Sequence, residues 1–295
     1  MKIFILSVGE NIYSTQRLVE EAEHRGHTIR VISHTKCSVK LGDGKPQIIF
    51  EGENIINWPD VIIPRIGASV SRHGAAIVKE FEMNGVFSTA RSLGIIRAQN
   101  KVRTLQIMNR KNIPIPQTVF SVNPSNIDEQ IELLGGPPVI IKLQEGTQGM
   151  GVILAESKKS AKSILDTLYN MNTSIMLQEF VEESNGEDIR AIVVGNKVIA
   201  AMKRKGEKGE FRSNIHRGGT GEGVQLSNKE QKIALKAAQY LSLPVAGVDM
   251  IRSKKGPLLI EVNGSPGFQG MEAYTKVNVA EEVIKYIETH VRKKV

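Results

Sequence analysis

The sequence predicts a mixed protein, with an α/β domain at the N-terminus followed by two α+β lobes. Strand and helix patterns alternate over the first part of the chain, a glycine-rich loop joins two strand-like segments in the middle, and the last part contains paired strands with a strong hairpin signal. Alternating strands and helices are typical of a mostly parallel sheet, whereas hairpins are typical of antiparallel sheets.

The N-terminal domain is predicted over residues 1–98. Its first strand is KIFILSV, an amphipathic helix follows from Thr15 to about Arg25 and ends at Gly26, and TIRVIS and DVIIPRI are predicted as further strands. No G-x-G-x-x-G turn follows the first strand. The fingerprint of a dinucleotide-binding oxidoreductase is therefore absent.

A smaller lobe is predicted over residues 99–180. A helix from Gln99 to Arg110 precedes the prolines of NIPIPQT, which mark a domain junction. After this junction come the strand PPVIIKL, a glycine loop, the strand VILAES, a helix from about Lys159 to Asn170, and the strand SIMLQEF. The glycine loop does not end in the Gly-Lys-Ser/Thr of a P-loop, and it joins two strands with Lys142 on the first. This arrangement favours a flap over nucleotide phosphates, with a plain hairpin loop as the alternative.

The last lobe is predicted over residues 181–295. Two strand-like runs in EDIRAIVVGNKVIAAMKR are joined by Gly195 and Asn196, a typical hairpin turn. The polar stretch KGEKGEFRSNIHRGGTGEG has no periodicity and predicts a long functional loop. A helix from Asn228 to Leu241, the strands VAGVDMI and GPLLIEVNGSPG, and a closing helix from Val279 to about Val291 complete the lobe.

Composition and charge limit the possible functions. The 295 residues are 40% hydrophobic and 24% charged, and no apolar run approaches the roughly 20 residues of a membrane helix. A first strand explains the N-terminus better than a signal peptide, and the single cysteine, Cys37, excludes an intrachain disulfide, so we expect a cytoplasmic protein. The net charge of +8 predicts an acidic partner, but the absence of nucleic-acid-binding motifs argues against direct nucleic-acid binding.

Candidate metal ligands lie near the ends of the final strands. Asp249 is in GVDMI, and Glu261 and Asn263 are in IEVN. Glu261 and Asn263 lie two positions apart and therefore point to the same face of a strand, and they converge with Asp249 if the two strands form a hairpin. Two carboxylates and an amide oxygen suit Mg²⁺, and the histidines show no metal-binding spacing.

Other polar residues suggest a site for an anion or a nucleotide. The long loop offers Arg212, Asn214, His216 and Arg217, and arginine matches phosphate or carboxylate oxygens. Asp188 and Arg190 share a strand face, where a plain surface ion pair is the alternative. Glu179 and Phe180 are candidates for contacting an adenine edge, and Asp188 for accepting ribose hydroxyls.

The motifs VIIPRIGASV, KLQEGTQGMGVILAE, DIRAIVVG, FRSNIHRGG, VAGVDMIR and EVNGSPGFQGME, in this order, resemble the RimK family of the ATP-grasp superfamily. These are glutamate ligases that modify the sixth small-subunit ribosomal protein, and related amino-acid ligases. The resemblance implies an ATP-grasp fold, with a Rossmann-like pre-ATP-grasp domain before two ATP-binding lobes. The departure from the family pattern is Gly264, which follows Asn263 where another small residue is common.

The resemblance also implies the roles of individual residues. The residues expected to bind ATP are Lys101, Lys142, Gly146, Gly149, Gly151, Glu179, Phe180, Asp188, Arg212, Ser213 and Asn214. Asp249, Glu261 and Asn263 are expected to hold Mg²⁺, with two ions and replacement by Mn²⁺ as further expectations. Lys142, Arg204 and Arg217 are the candidate catalytic residues, because they would neutralise charge on the reacting groups.

The implied partners are ATP, L-glutamate and an acidic acceptor, with a ribosomal protein tail as the expected acceptor and a homotetramer as the expected assembly. Two alternatives stay open. The same chemistry could act on a small-molecule or carrier-protein acceptor, because the ATP site would be the same. A non-catalytic nucleotide-binding or nucleic-acid-binding regulator is the alternative from another class.

Overall fold

The computed structural model describes residues 1–42, 44–143, 151–171, 173–207, 210–211, 213 and 218–291. The strands are β1 (Lys2–Ser7), β2 (Thr28–Ile32), β3 (Ser38–Lys40), β4 (Gln47–Phe50), β5 (Glu53–Asn54), β6 (Val61–Arg65), β7 (Phe87–Ser88), β8 (Thr118–Ser121), β9 (Val139–Leu143), β10 (Val152–Ala155), β11 (Ile175–Glu179), β12 (Glu187–Val194), β13 (Lys197–Lys205), β14 (Thr220–Gly223), β15 (Val245–Ser253) and β16 (Gly256–Asn263). The helices are α1 (Tyr13–His24), α2 (Ser71–Met83), α3 (Ser92–Gln99), α4 (Lys101–Arg110), α5 (Ile127–Glu132), α6 (Lys158–Asn170), α7 (Asn228–Leu241), α8 (Gln269–Thr275) and α9 (Val279–His290). None of the helices in these ranges is long and apolar enough to span a bilayer.

The N-terminal domain contains a parallel sheet of strand order β2-β1-β6-β7, as the alternation of strands and helices predicts. The chain leaves β1 toward β2 on one side and later returns to β6 on the other side. The order of strands therefore reverses between β1 and β6. The small antiparallel sheet of β3, β4 and β5, and the helix α2, were not predicted.

The predicted helix from about Gln99 to Arg110 is confirmed as α4, which begins at Lys101, and a separate helix, α3, precedes it. Asn100 separates α3 from α4 because its backbone is extended, with φ −96° and ψ 100°. Its side chain accepts a hydrogen bond from the backbone N–H of Arg103 at 2.8 Å. Asn100 therefore caps a new helix, which is a favoured role of asparagine.

The middle lobe is an antiparallel sheet of order β10-β9-β11-β8. The predicted pairing of the strands on either side of the glycine loop is confirmed, since Val152 lies opposite Lys142. One face of this sheet buries its apolar side chains against α5 and α6. The other face carries Ile140, Lys142, Met176 and Gln178, because these residues alternate with the buried ones.

The C-terminal lobe is an antiparallel sheet of order β14-β13-β12-β15-β16. The hairpin at Gly195 and Asn196 is confirmed, as is the hairpin of β15 and β16. The prediction of a structureless polar loop was wrong at its end, where Thr220–Gly223 form β14 and pair with β13. Backbone pairing does not require apolar side chains, so this edge strand has no hydrophobic pattern.

The two faces of the C-terminal sheet differ. One face packs its apolar residues against α7 in the largest core cluster. The opposite face is apolar only toward one end, where its side chains pack against α8, α9 and the N-terminal sheet; these side chains are Ile192, Val194, Ala200, Met202 and Val245. Toward the other end the same face is polar, and this polar half contains the candidate site.

Candidate functional site

Six polar side chains lie on the polar half of the C-terminal sheet. Strand pairing places Arg204 opposite Asp188, Arg190 opposite Asp249, and Asp249 opposite Glu261, and Asn263 lies two residues further along β16 on the same face. Residues opposite each other on neighbouring strands point to the same face. The predicted convergence of Asp249, Glu261 and Asn263 is therefore confirmed as a matter of position.

Two aspartates and two arginines form an ion-pair network across three strands. Arg204 donates to Asp188 from Nε at 2.6 Å and from Nη2 at 2.5 Å, and its Nη2 also donates to Asp249 at 3.0 Å. Arg190 donates to Asp249 through Nε at 2.7 Å and Nη2 at 2.5 Å. These bidentate hydrogen bonds between guanidinium and carboxylate groups fix the positions of the four side chains.

The network sets the pKa values of its members. Burial alone would raise the pKa of Asp249, but the charges of Arg190 and Arg204 outweigh burial and lower that pKa to about 2. Burial raises the pKa of Asp188, and Arg204 only partly opposes this increase. Burial would lower the pKa of Arg204, yet the two carboxylates raise it, so the guanidinium stays charged. The site thus holds a permanent cation between two carboxyl groups.

The idea that Asp188 and Arg190 form a surface ion pair is wrong. Both side chains project to the predicted face, but each forms its ion pair with a residue of another strand and not with the other. The exposed fraction of the side chain is 7% for Asp188 and 20% for Arg190. Arg190 pairs with Asp249, 59 residues later in the sequence, whereas Asp188 pairs with Arg204 across the hairpin of β12 and β13. Arg190 is therefore a site residue that the sequence argument undervalued.

The side-chain oxygens of Glu261 and Asn263 have no hydrogen-bond or ion-pair partner among the described residues. Both side chains are partly exposed. No group of three or more histidine, cysteine, aspartate or glutamate side chains in those residues has the arrangement of a metal site. Two carboxylates with one amide oxygen are nevertheless a donor set that suits Mg²⁺, which completes its shell with water and phosphate oxygens.

Lys142 lies on the facing sheet of the middle lobe. Its Nζ donates to Gln178 Oε1 at 2.6 Å, and Gln178 Nε2 donates to Thr118 Oγ1 at 2.9 Å, so the lysine is held by its neighbouring strand. Burial lowers the pKa of Lys142 to about 8; the charge of Glu261 acts against this and that of Lys101 adds to it. The structure therefore brings Lys142, Lys101 and Glu261 within electrostatic reach of one another.

Four further predicted residues are described. Gly151 has φ +75°, and a Cβ atom there would lie 2.7 Å from the side chain of Leu143, so glycine is required at the base of the flap. The Ser213 hydroxyl is hydrogen-bonded to the Asp188 carboxyl group and lowers its pKa. Glu179 accepts from the backbone N–H of Gln117 at 2.9 Å, and Phe180 follows β11 directly.

The remaining predicted residues, Gly146, Gly149, Arg212, Asn214, His216 and Arg217, lie outside the described residues. Gln178 and Arg65 were missed by the sequence argument. Gln178 could have been found from its alternation with Met176 on the face that also carries Lys142. Arg65 is a charged residue at the end of the apolar run VIIPR, which is the signal that was overlooked.

Comparison with known protein families identifies both parts of the chain. Residues 1–95 match the RimK PreATP-grasp domain, and residues 98–287 match the RimK-like ATP-grasp domain. The chain belongs to the RimK family. Among curated relatives, a probable alpha-L-glutamate ligase of Aliivibrio salmonicida is 49% identical over 98% of this chain and 95% of its own. A probable alpha-L-glutamate ligase of Vibrio cholerae is 45% identical over 100% and 97%.

Solved structures share the fold at low sequence identity. The ATP-grasp ligase PsnB complexed with its minimal precursor superposes with a TM-score of 0.78 at 18% identity, covering 99% of this chain and 98% of that one. The macrocyclase MdnC bound with the precursor peptide MdnA from Microcystis aeruginosa has a TM-score of 0.72 at 15% identity, covering 98% and 100%. These similarities confirm the predicted ATP-grasp fold.

Family membership also determines the class of enzyme. The chain is an ATP-dependent carboxylate–amine ligase of the ATP-grasp type. The fold implies sites for ATP and Mg²⁺, and PsnB has been solved with Mg and ADP, at a TM-score of 0.76 and 18% identity over 99% and 98% of the two chains.

Proposed function

We propose that this enzyme attaches L-glutamate to a carboxyl group of an acidic protein tail, with the sixth small-subunit ribosomal protein as the expected acceptor. The near full-length identity with alpha-L-glutamate ligases supports glutamate as the amine substrate. The peptide-bound neighbours support a fold that accepts a peptide chain. One observation of the structure carries the proposal: the carboxylate of Glu261, which has no hydrogen-bond partner among the described residues, lies within electrostatic reach of the charged Lys142 on the other lobe.

The proposed reaction has two steps. An oxygen of the acceptor carboxylate attacks the γ-phosphorus of ATP, and the bond to the bridging oxygen breaks to release ADP. The amino group of glutamate then attacks the acyl carbon, loses a proton, and expels phosphate with the oxygen that came from the acceptor. No protein nucleophile is needed, which agrees with the burial of Cys37, a burial that raises the pKa of its thiol to about 11.

The residues would contribute by position and charge. Lys142 and Lys101 would contact phosphate oxygens beneath the flap of Gly146, Gly149 and Gly151, where exclusion of water protects the acylphosphate from hydrolysis. Asp249, Glu261 and Asn263 would hold Mg²⁺, which supplies charge neutralisation on the transferred phosphoryl group when bound. Arg190 and Arg204 would keep Asp249 ionised and in place.

The remaining assignments concern the nucleotide and the intermediate. Glu179 and the backbone of Phe180 would meet the adenine edge, and Asp188 the ribose, with Ser213 hydrogen-bonded to Asp188. Arg212 and Asn214 would contact the nucleotide. Arg217 would stabilise the acylphosphate and the tetrahedral intermediate that follows it.

An isotope experiment tests this chemistry. Acceptor protein labelled with ¹⁸O in its carboxyl groups is incubated with the enzyme, ATP, Mg²⁺ and glutamate, and the released phosphate is analysed by mass spectrometry. The proposal predicts one ¹⁸O atom in each phosphate released and no phosphate without acceptor. Unlabelled phosphate would reject the acylphosphate step, and turnover with a small-molecule or carrier-protein acceptor in place of the ribosomal protein would correct the acceptor. The absence of ADP release with every acceptor is what a non-catalytic regulator predicts.

A further inference from the structure

A second polar site lies in the N-terminal domain, at the point where the strand order reverses. Ser7 ends β1 and lies opposite Arg65, which ends β6. The chain runs from β1 to one neighbour and returns to the other, so the strand order reverses at the carboxyl ends of these two strands. In open α/β sheets, a reversal of this kind forms a crevice that is the usual place for a ligand.

Among the described residues, Arg65 has no counter-ion at this position. Its Nη2 donates to Ser14 Oγ at 2.8 Å and to the carbonyl oxygen of Pro266 at 2.6 Å, and its guanidinium carbon lies 4.8 Å from the ring centre of Phe268. Its Nε is buried and has no hydrogen-bond partner, and no carboxylate of the described residues forms an ion pair with it. Burial lowers the pKa of Arg65 to about 10, so it is still charged at neutral pH.

A cation in such surroundings normally has a carboxylate partner, because unpaired burial of charge is costly. The same crevice contains a second source of positive potential. Ser14 belongs to the first turn of α1, which has no side-chain cap at Ile12 and no acidic residue in that turn. The backbone N–H groups at the helix start carry a partial positive charge, which therefore adds to the charge of Arg65.

The crevice adjoins the candidate reaction site. Ser265 accepts a hydrogen bond from the backbone N–H of Ile66 at 3.0 Å, and Pro266 accepts from Arg65. Both residues follow Asn263, the last residue of β16, by no more than three positions. A substrate whose carboxylate is held at Arg65 would thus extend toward the oxygens of Asn263 and Glu261.

The surroundings of Arg65 favour a peptide over a free amino acid. Val8, Ile12 and Tyr13 surround the start of α1, and their exposed fractions are 50%, 41% and 36%. Exposed apolar side chains at a helix start whose Ser14 is hydrogen-bonded to a cation suit a ligand that has both a carboxylate and apolar or backbone surface to bury. Free glutamate offers little apolar surface.

We propose that Arg65, together with the start of α1, binds a carboxylate of the acceptor peptide and so positions the acceptor for the reaction. This assignment rests on the proposed ligase function, because it names the acceptor's place in that function. A carboxylate on free glutamate has the same chemistry, so the experiment must separate the two sources.

Calorimetric titration separates them without turnover. The whole enzyme, with Mg²⁺ and a non-hydrolysable ATP analogue present, is titrated with a short peptide ending in Glu-Glu and, separately, with L-glutamate. We expect Arg65→Gln to weaken peptide binding by about 10- to 100-fold, since one charge-assisted contact is lost, and to leave the affinity for the ATP analogue unchanged. Arg65→Lys should restore only part of the affinity, because lysine keeps the positive charge but lacks the bidentate hydrogen-bond geometry of the guanidinium.

The matched control is Arg30→Gln. Arg30 lies on β2 of the same sheet, pairs with the exposed Glu53 at 2.9 Å, and lies over Trp58, away from the crevice. This variant should bind the peptide as the parent enzyme does. Circular dichroism establishes that each variant is folded, and Ser14→Ala, which removes the hydroxyl that holds Arg65, replaces Arg65→Gln if the latter unfolds. We expect Ser14→Ala to weaken peptide binding severalfold.

Three results would overturn the assignment. They are equal peptide binding by the parent enzyme and the folded variants, no peptide binding by the parent enzyme, and a loss confined to L-glutamate. A loss of peptide binding in Arg65→Gln, combined with no ligation product from the parent enzyme, would support the carboxylate site and reject the ligase function. Failure of one proposal is therefore distinguishable from failure of the other.

Discussion

Replacement of Arg204 by methionine tests whether the ion-pair network stabilises the C-terminal lobe. Arg204 makes two hydrogen bonds to Asp188 and one to Asp249, and the exposed fractions of the three side chains are 10%, 7% and 3%. Methionine leaves two buried carboxyl groups close together without the cation between them. Removal of one partner from a buried ion pair costs about 3–5 kcal/mol, and we expect a loss of that size at pH 7.

The loss should depend on pH. Without Arg204, the folded-state pKa of Asp188, which burial already raises, rises further above its unfolded value of about 3.9, because the guanidinium no longer opposes burial and the charge of Asp249. The folded variant then takes up a proton more readily than the unfolded chain, so its stability increases as pH falls through the raised pKa. The difference from the parent enzyme should be largest at pH 8 and smaller at pH 5.

Urea unfolding followed by circular dichroism measures both effects. Lys205→Met is a matched control, because Lys205 is the next residue on β13 and pairs with Glu187 across the same two strands at 3.0 Å, but its side chain is 59% exposed. We expect this control to lose less than about 1 kcal/mol. A loss of that small size in Arg204→Met, or a loss that stays constant from pH 5 to pH 8, would refute the reasoning.

The metal site, a buried histidine, a tightly packed glycine and the net charge can each be tested separately. Glu261→Gln should raise the Mg²⁺ concentration for half-maximal activity by about tenfold or more, measured as ADP release at saturating ATP; an unchanged requirement would remove Glu261 from the metal site. His34 is fully buried, and its pKa is lowered to about 4 by burial and by the charge of a neighbouring histidine. The unfolded chain therefore binds more protons than the folded protein below about pH 6.5. Stability on the order of 2–3 kcal/mol should be lost as pH falls from 6.5 to 4. His34→Met should unfold with a smaller dependence on pH in that window, and an identical dependence would contradict this. Gly94→Ala places a Cβ atom 2.5 Å from the carbonyl oxygen of Leu241 and should lose about 1–3 kcal/mol in urea unfolding, whereas Gly67→Ala, with open space around it, should not; equal losses would reject the packing argument. Ligation to an acidic peptide should slow as salt rises because the chain has a net charge of +8, and a flat salt response would count against electrostatic capture.

Local patterns predicted the parts of the site that are built from neighbouring segments. Asp249, Glu261 and Asn263 are brought together by one hairpin, so strand alternation and the short turn between β15 and β16 were enough to predict their shared face. The flap strands β9 and β10 were predictable for the same reason. The hairpin at Gly195 was also predictable, because a two-residue turn between strand-like runs leaves few alternatives.

The parts that the sequence did not predict depend on which distant strands become neighbours. Arg190 was considered with Asp188 because they are close in sequence, yet the network forms because β12 lies between β13 and β15. Arg65 acquires its position only when the end of β6 meets the segment after β16, about 200 residues later. Such contacts follow from packing of whole domains, which local periodicity does not describe.

The intact mass of the ribosomal acceptor protein, measured after incubation with the enzyme, ATP, Mg²⁺ and L-glutamate, shows whether this enzyme ligates glutamate to that acceptor. Our account predicts a series of masses separated by one glutamyl residue, dependent on ATP and on glutamate, and strongly reduced with Glu261→Gln. An acceptor of unchanged mass, in the presence of enzyme that binds ATP, would contradict the assignment of this acceptor, and the same result with every carboxylate acceptor would contradict glutamate ligation itself.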